Sequence, residues 1–243
     1  MLNRREFLQY ASAGVVCVGC GIGHAFAQPA GAPRRPEVMV GGRRVKTVDV
    51  HAHCAVPAVL DVVKGTPFET AARRQLDGNL GFPVAAARVA DMDKDGIDVQ
   101  ALSINAFWYA ADRDLARRMF DLQSEKLAEM CKAIPGRFLG YAPVSLQFPE
   151  LAAEQLERGM KQLGLVGAAI GGGFLPSYAT RMNHGCSVFP DQCKGPTLKK
   201  KPSEYLKQLY FDSLVFTAEA LRHLVNEHGA SQIMIGTDYA ALG

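Results

Sequence analysis

Short apolar runs at residues 45–50, 99–104, 138–144 and 166–170 alternate with segments whose apolar residues recur at helical spacing, and this rhythm constrains the fold more than any other feature of the chain. Strands separated by helices predict βαβ units and a parallel sheet. The helical patterns cover residues 82–95, ending at Gly96, about 112–134, ending at Pro135-Gly136, and 149–163, with Glu150, Glu154 and Glu157 in its first turns. After Ile170 the rhythm fails. Gly171-Gly-Gly-Phe-Leu-Pro-Ser-Tyr178 opens a stretch rich in Gly, Pro and Cys that reads as irregular as far as Pro202, well beyond the length of a usual connection. A helix at 203–209, a strand at 210–216, a helix at 217–228 with Thr217 as N-cap and a last apolar run, Ser231-Gln-Ile-Met-Ile-Gly-Thr-Asp238, complete the pattern.

His51 and His53 follow the first run directly. Side chains two apart on a strand share a face, so both imidazoles emerge together at its carboxyl end, as two ligands of one metal must. The last run breaks at Gly236 and delivers Asp238 at its own carboxyl end, an oxygen donor that joins them if the first and last strands meet. The competing reading is two hydrogen-bonded histidines at a strand end. Phe107 and Trp108 follow the second strand, where the loops of such a sheet line a site; they are either its wall or plain packing. Arg181 has the planar fork that suits a substrate carboxylate, and equally suits a structural ion pair. His184 reads as a loop residue, His223 as a helix residue without a ligand role, and His228 as a complement to the dipole at its helix's C-terminus. Gly171 to Gly173 lack the Lys-Ser/Thr that a phosphate loop needs.

The beginning of the chain has a different character. Asn3-Arg-Arg-Glu-Phe-Leu8 resembles the twin-arginine export motif, residues 11–23 are weakly apolar, and Ala25-Phe-Ala27 fits a small-x-small cleavage site. Residues 1–27 are therefore expected to be a signal peptide read by the twin-arginine export machinery, with the periplasm or the exterior as destination. A Pro- and Arg-containing leader would occupy 28–44 and the folded domain 45–243. The chain carries 27 basic and 24 acidic residues, a net charge of +3, part of it in the signal. Beyond the signal the longest basic run is Lys199-Lys-Lys201, which reads as a solvated loop and gives no case for nucleic acid. Of six cysteines, Cys17 and Cys20 fall in the signal. Cys186 and Cys193 are placed to close a short loop in an oxidising compartment, with the geometry left open by the sequence, and Cys54 reads as a small buried apolar residue.

Four segments, taken together and in order, carry a resemblance: Asp49-Val-His-Ala-His53, Arg88-Val-Ala-Asp-Met-Asp-Lys-Asp-Gly-Ile-Asp98, Pro135-Gly-Arg-Phe138 and Gly236-Thr-Asp238. From about residue 47 to 239 the chain resembles the amidohydrolase-related proteins of the aminocarboxymuconate semialdehyde decarboxylase type. The resemblance implies an α/β fold of the TIM (β/α)8-barrel type and a divalent metal, zinc first. It also implies activity as a hydrolase or nonoxidative decarboxylase on a small aromatic or unsaturated carboxylic acid, and a possible homodimer. Carried over by position, His51, His53 and Asp238 are the metal ligands, with Asp238 also handling a proton; a metal held in this way can lower the pKa of bound water to ~7. Such a barrel also supplies two histidines from its middle strands, and none occurs here between His53 and His184. A closed barrel needs eight strands and ~250 residues, whereas about six strands are legible here. About two βα units, roughly 60 residues at ~30 per unit, are expected to be absent between Ile170 and Phe174, and the chain stops shortly after Asp238. The expectation is an incomplete barrel. The alternative function is a catalytically impaired remnant that binds metal weakly or serves only as an oligomer partner.

Overall fold

A computed structural model describes residues 35–77, 85–169, 174–192 and 198–239. The expected signal at 1–27 and Cys193 lie outside the described residues.

The alternation read from the sequence is present. Strand β1 is Val48–Cys54, and helices α1 (Val59–Val63) and α2 (Glu69–Asp77) follow it in a segment for which the apolar pattern gives no assignment. Next come α3 (Ala85–Lys94), β2 (Val99–Ile104) and α4 (Arg113–Ala133). Asp112 caps α4 by accepting from the Leu115 N–H at 2.8 Å, satisfying one of the unpaired donors of its first turn. Strand β3 is Phe138–Gly140, and α5 is Pro149–Arg158, whose opening proline needs no N–H partner there. Helix α5 widens into a π turn, Gly159–Leu163. Helix α6 (Phe174–Val188), α7 (Pro202–Leu206), β4 (Phe211–Asp212), α8 (Ala218–His228) and β5 (Ile233–Met234) complete the order.

Strand β1 pairs in parallel with β2, and β2 with β3; the fourth apolar run, expected as a strand, contributes a single parallel bridge from Gly167 to Tyr141. On the other side of β1 the last strand is docked. The Val50 N–H donates to the Ile235 carbonyl (3.1 Å), Asp238 N–H to His51 (2.8 Å) and His53 N–H to Tyr239 (3.1 Å). Strand β5 in turn pairs in parallel with β4. Apart from a two-stranded antiparallel hairpin at Met39–Val40 and Arg43–Arg44, the described strand segments thus run in the order Gly167 bridge, β3, β2, β1, β5, β4, with β1 and the last strand adjacent as in a closed barrel. These bonds on both flanks keep β1 extended through His51 and His53, where the sequence placed its end at Val50.

The largest departure from expectation is α6, which occupies the front of the stretch read as irregular. Pro176 sits in its first turn, where no backbone donor is required. Leu175, Ala179 and Met182, spaced as one helical face, pack on Leu206, Phe211 and Leu224. A second and larger cluster lies between the sheet and α1 and α4, where Ala52, Cys54 and Leu102 meet Val59, Met119, Phe120 and Leu127. Full burial of side chains such as Phe120 or Leu127 contributes about 1.5–3 kcal/mol each. The segment 35–44 is fastened to this body through Asp98, which accepts from Arg44 (2.6 Å), from Arg35 (2.9 Å) and from the Thr47 N–H (2.7 Å). Burial disfavours the Asp98 carboxylate, but the Thr47 N–H and the two guanidiniums outweigh it and hold its pKa below the ordinary value.

Candidate metal centre

Two features of the backbone bring the predicted ligands together. Strand β1 carries a bulge between Asp49 and Ala52, which pair with Gln100 and Leu102 of β2. His53 pairs with Ser103 and both His51 and His53 turn to the same side, so their Nε2 atoms stand 3.0 Å apart. The second feature is Gly236. A Cβ built there would lie 2.3 Å from His51 Cβ, so only glycine lets the last strand approach this closely. Asp238 follows with φ 58°, in the left-handed region that Asp tolerates better than most residues. Its Oδ1 lies 3.0 Å from His53 Nε2 and 3.4 Å from His51 Nε2. The donor atoms of His51, His53 and Asp238 all lie within 4.8 Å of one another.

Both rings are oriented from behind. The Asp212 Oδ2 of β4 is 2.9 Å from His51 Nδ1, and Ser103 Oγ is 3.1 Å from His53 Nδ1 and 3.4 Å from the Ala52 carbonyl. A proton on each Nδ1, donated to Asp212 and Ser103, leaves both Nε2 lone pairs directed at the Asp238 carboxylate. Two lone pairs and a carboxylate converging without a donor among them suit a divalent cation, and the partners behind the rings are those that metal-bound histidines use. The hydrogen bond to Asp212, against the effect of burial, raises the His51 pKa. Burial and the neighbouring His51 lower that of His53. Burial opposes charge on Asp212, yet the bonds from His51 and the Leu214 N–H hold its pKa below the usual range.

A cleft of about 390 Å³ opens in front of this group, lined by His51, His53, Trp108, Tyr109, Tyr141 and Asp212 among others. Trp108 is 2% exposed, packs edge-on to Phe120 at 4.8 Å between centroids, and is also among the residues that line the cleft. Arg181 lies elsewhere, on an exposed position of α6 outside the residues that line the cleft, and His184 is exposed on the same helix. Asp212 was not singled out by sequence reasoning. The one available signal was an acidic residue in a short apolar run just before a helix, which is too common to be specific. His228 also differs from expectation. Its ring packs 4.3 Å from Phe211 and burial lowers its pKa, which disfavours the charged form that a helix dipole would attract. Cys54 is buried, with its thiol pushed up to about 12, and Cys186 is disulfide-bonded.

Comparison with known proteins agrees with this geometry. The sequence profile of the family described as Amidohydrolase matches residues 48–190, more than half of the chain. A gamma-resorcylate decarboxylase from Rhodococcus jostii is 36% identical over 135 residues, covering 51% of this chain and 38% of the relative. The chain therefore spans well under half the length of that relative. A 2-amino-3-carboxymuconate-6-semialdehyde decarboxylase from Dictyostelium discoideum is 23% identical over 276 residues, covering 79% of this chain and 74% of the relative. That alignment is longer than the chain itself, so the relative has positions within the matched span that this chain lacks. Among solved structures, a 5-carboxyvanillate decarboxylase from Novosphingobium aromaticivorans, complexed with manganese and 4-hydroxy-3-methoxy-5-nitrobenzoic acid, superposes with a TM-score of 0.56 at 19% identity. The match covers 80% of this chain and 86% of the other. The likeness establishes a TIM-barrel type of fold, and with the matched profile and the His51, His53 and Asp238 cluster it leads to one conclusion: the chain belongs to the amidohydrolase family.

Proposed function

We propose that this protein is a metal-dependent enzyme that removes carbon dioxide, without oxidation, from a small aromatic carboxylic acid. The observation that carries the reading is the convergence of His51 Nε2, His53 Nε2 and Asp238 beside a cleft with aromatic walls. When bound, the metal supplies Lewis acidity, polarising a substrate oxygen next to the departing carboxylate and stabilising negative charge as the C–C bond breaks. Asp212 and Ser103 fix the tautomers of the two histidines and stop the rings from rotating. Trp108 and Tyr141 line the cleft and offer aromatic surface for a flat ring. Asp238 directs Oδ1 at the histidines, and its other oxygen is our candidate for handing on a proton. Zinc and manganese both accept two imidazoles and a carboxylate; the Novosphingobium relative holds manganese, and zinc is our first assignment from the family resemblance.

A second reading has its own support. No histidine lies between His53 and His184, and His184 is exposed on α6, so the cleft has no third imidazole among the described residues. On that reading the chain is impaired in catalysis and binds metal weakly or serves only as an oligomer partner. Elemental analysis of purified protein, combined with carbon dioxide release from 2,6-dihydroxybenzoate, separates the two. Near-stoichiometric metal lost in His51→Ala and Asp238→Ala, with turnover, supports the enzyme. Stoichiometric metal without turnover on a panel of hydroxybenzoates supports impairment, and a well-folded protein without metal sinks the enzyme and leaves the remnant that serves only as an oligomer partner. We extend the proposal to export through the twin-arginine route, supported by Arg4, Arg5 and the Ala25-Phe-Ala27 site. Arg4→Lys with Arg5→Lys should then retain the protein in the cytoplasmic fraction.

A further inference from the structure

We propose that Asp49 is a positioning residue for the metal centre, clasping Thr237 so that Asp238 is held against His51. This rests on reading His51, His53 and Asp238 as metal ligands. Asp49 is 2% exposed and each of its carboxylate oxygens accepts two hydrogen bonds. Oδ1 receives the Thr237 N–H at 3.0 Å and the His51 N–H at 3.2 Å; Oδ2 receives the Thr237 hydroxyl at 2.7 Å and the Gln100 side-chain amide at 2.9 Å. Two of these four bonds come from the residue immediately before Asp238, and a third comes from the backbone of a ligand.

The arrangement is directional. Arg88 of α3 donates through Nε to Gln100 Oε1 at 2.8 Å, which fixes the amide so that its NH2 faces Asp49. The same guanidinium donates to the His53 carbonyl at 2.8 Å and lies over the Tyr239 ring, 4.6 Å from its centroid. Buried Arg88, Gln100 and Asp49 thus form a chain that ends on the exposed Thr237 before Asp238 and, through Arg88, on the Tyr239 ring after it. The bulge in β1 makes this possible, because Asp49 pairs with Gln100 while the two histidines turn toward the cleft. Among the described residues, no other hydrogen bond ties the Thr237 side chain to β1. Asp238 holds a left-handed backbone and needs such a restraint, since a shift of a fraction of an ångström at Thr237 moves its carboxylate relative to both Nε2 atoms.

The test compares the parent with Asp49→Asn, Thr237→Val and Thr237→Ser, using Mn²⁺ as the probe. Free Mn²⁺ is counted by electron paramagnetic resonance during titration, and hydrogen exchange of the peptide covering residues 233–239 is followed in metal-free protein. Asp49→Asn and Thr237→Val are expected to weaken Mn²⁺ binding about 10-fold or more and to speed exchange in 233–239 while β2 stays as in the parent; Thr237→Ser, which keeps the hydroxyl, should behave as the parent. Parental affinity and exchange in Thr237→Val overturn the proposal. So does a loss confined to Asp49→Asn, since that would show a charge effect instead of a clasp. If Asp49→Asn does not fold, the Val and Ser variants at Thr237 decide the matter. If the parent binds neither Mn²⁺ nor Zn²⁺, the metal reading fails by itself; faster exchange in Thr237→Val then still supports the clasp, and unchanged exchange overturns it.

Discussion

The Asp212 carboxylate lies 2.9 Å from Nδ1 of His51, while Nε2 of the same ring faces His53. A carboxylate behind a histidine fixes its tautomer and raises its basicity toward a metal. Asp212→Asn is therefore expected to weaken metal affinity about 10- to 100-fold with little change in the unfolding midpoint of the metal-free protein. Isothermal titration of both proteins with the same ion checks this. Equal affinities would remove Asp212 from the centre.

The close approach at Gly236 makes a different kind of prediction. A methyl group there would meet His51 Cβ at 2.3 Å and the His51 backbone nitrogen at 3.2 Å, so the strands must separate. Gly236→Ala should lower stability in urea by about 2–3 kcal/mol, at the upper end of overpacking effects, and should abolish metal binding at micromolar ion. A variant with parental stability would mean that β5 can dock elsewhere.

Acid sensitivity should reside partly at Asp98. Its pKa is lowered in the folded protein, so its contribution is fully present above the unfolded value of ~3.9 and is lost as pH falls through the lower folded value. Urea unfolding at several pH values below ~4 should show parental stability falling with acid more steeply than that of Asp98→Asn, which has no carboxylate to protonate there. Parallel curves would show that Arg35, Arg44 and Thr47 do not act through charge.

Arg181 and Trp108 are expected to separate. Arg181→Ala, on an exposed face of α6, should leave KM for an aromatic acid within about twofold and stability within ~0.5 kcal/mol. Trp108→Ala removes a ring packed on Phe120 and should destabilise by about 3–5 kcal/mol, so its part in the cleft is better read from Trp108→Phe. A large KM effect at Arg181 would require α6 to move over the cleft.

Much of this molecule is legible in its residues. The spacing of His51 and His53 fixes a common face. Gly236-Thr-Asp238 marks the end of the last strand because each of its residues serves locally, the glycine by close approach, the threonine by a hydroxyl for Asp49 and the aspartate by a carboxylate for the centre. What was hidden depends on tertiary neighbours. The bulge that separates Asp49 from the histidines is set by pairing with β2, and simple alternation would have kept all three on one side. Asp212 acquires meaning only when β4 lies next to β5. Helix α6 was obscured because Pro176, Gly185 and the preceding glycines read as breakers, whereas Pro176 falls in a first turn and Leu175, Ala179 and Met182 find apolar partners from α7, β4 and α8.

The docking of the last strand against the first also sets an order of events in time. Asp49 and Thr237 are 188 residues apart, so their contact closes a loop that contains nearly the whole domain. Contacts of such long range form late, since the chain between them must be arranged before their enthalpy offsets the entropy of closure. His51 and His53 are presented early, on a strand whose neighbour β2 is close in sequence, but tight capture of an ion waits for Asp238. Metal uptake followed during refolding should therefore lag behind helix formation and report the moment at which the two ends of the domain meet.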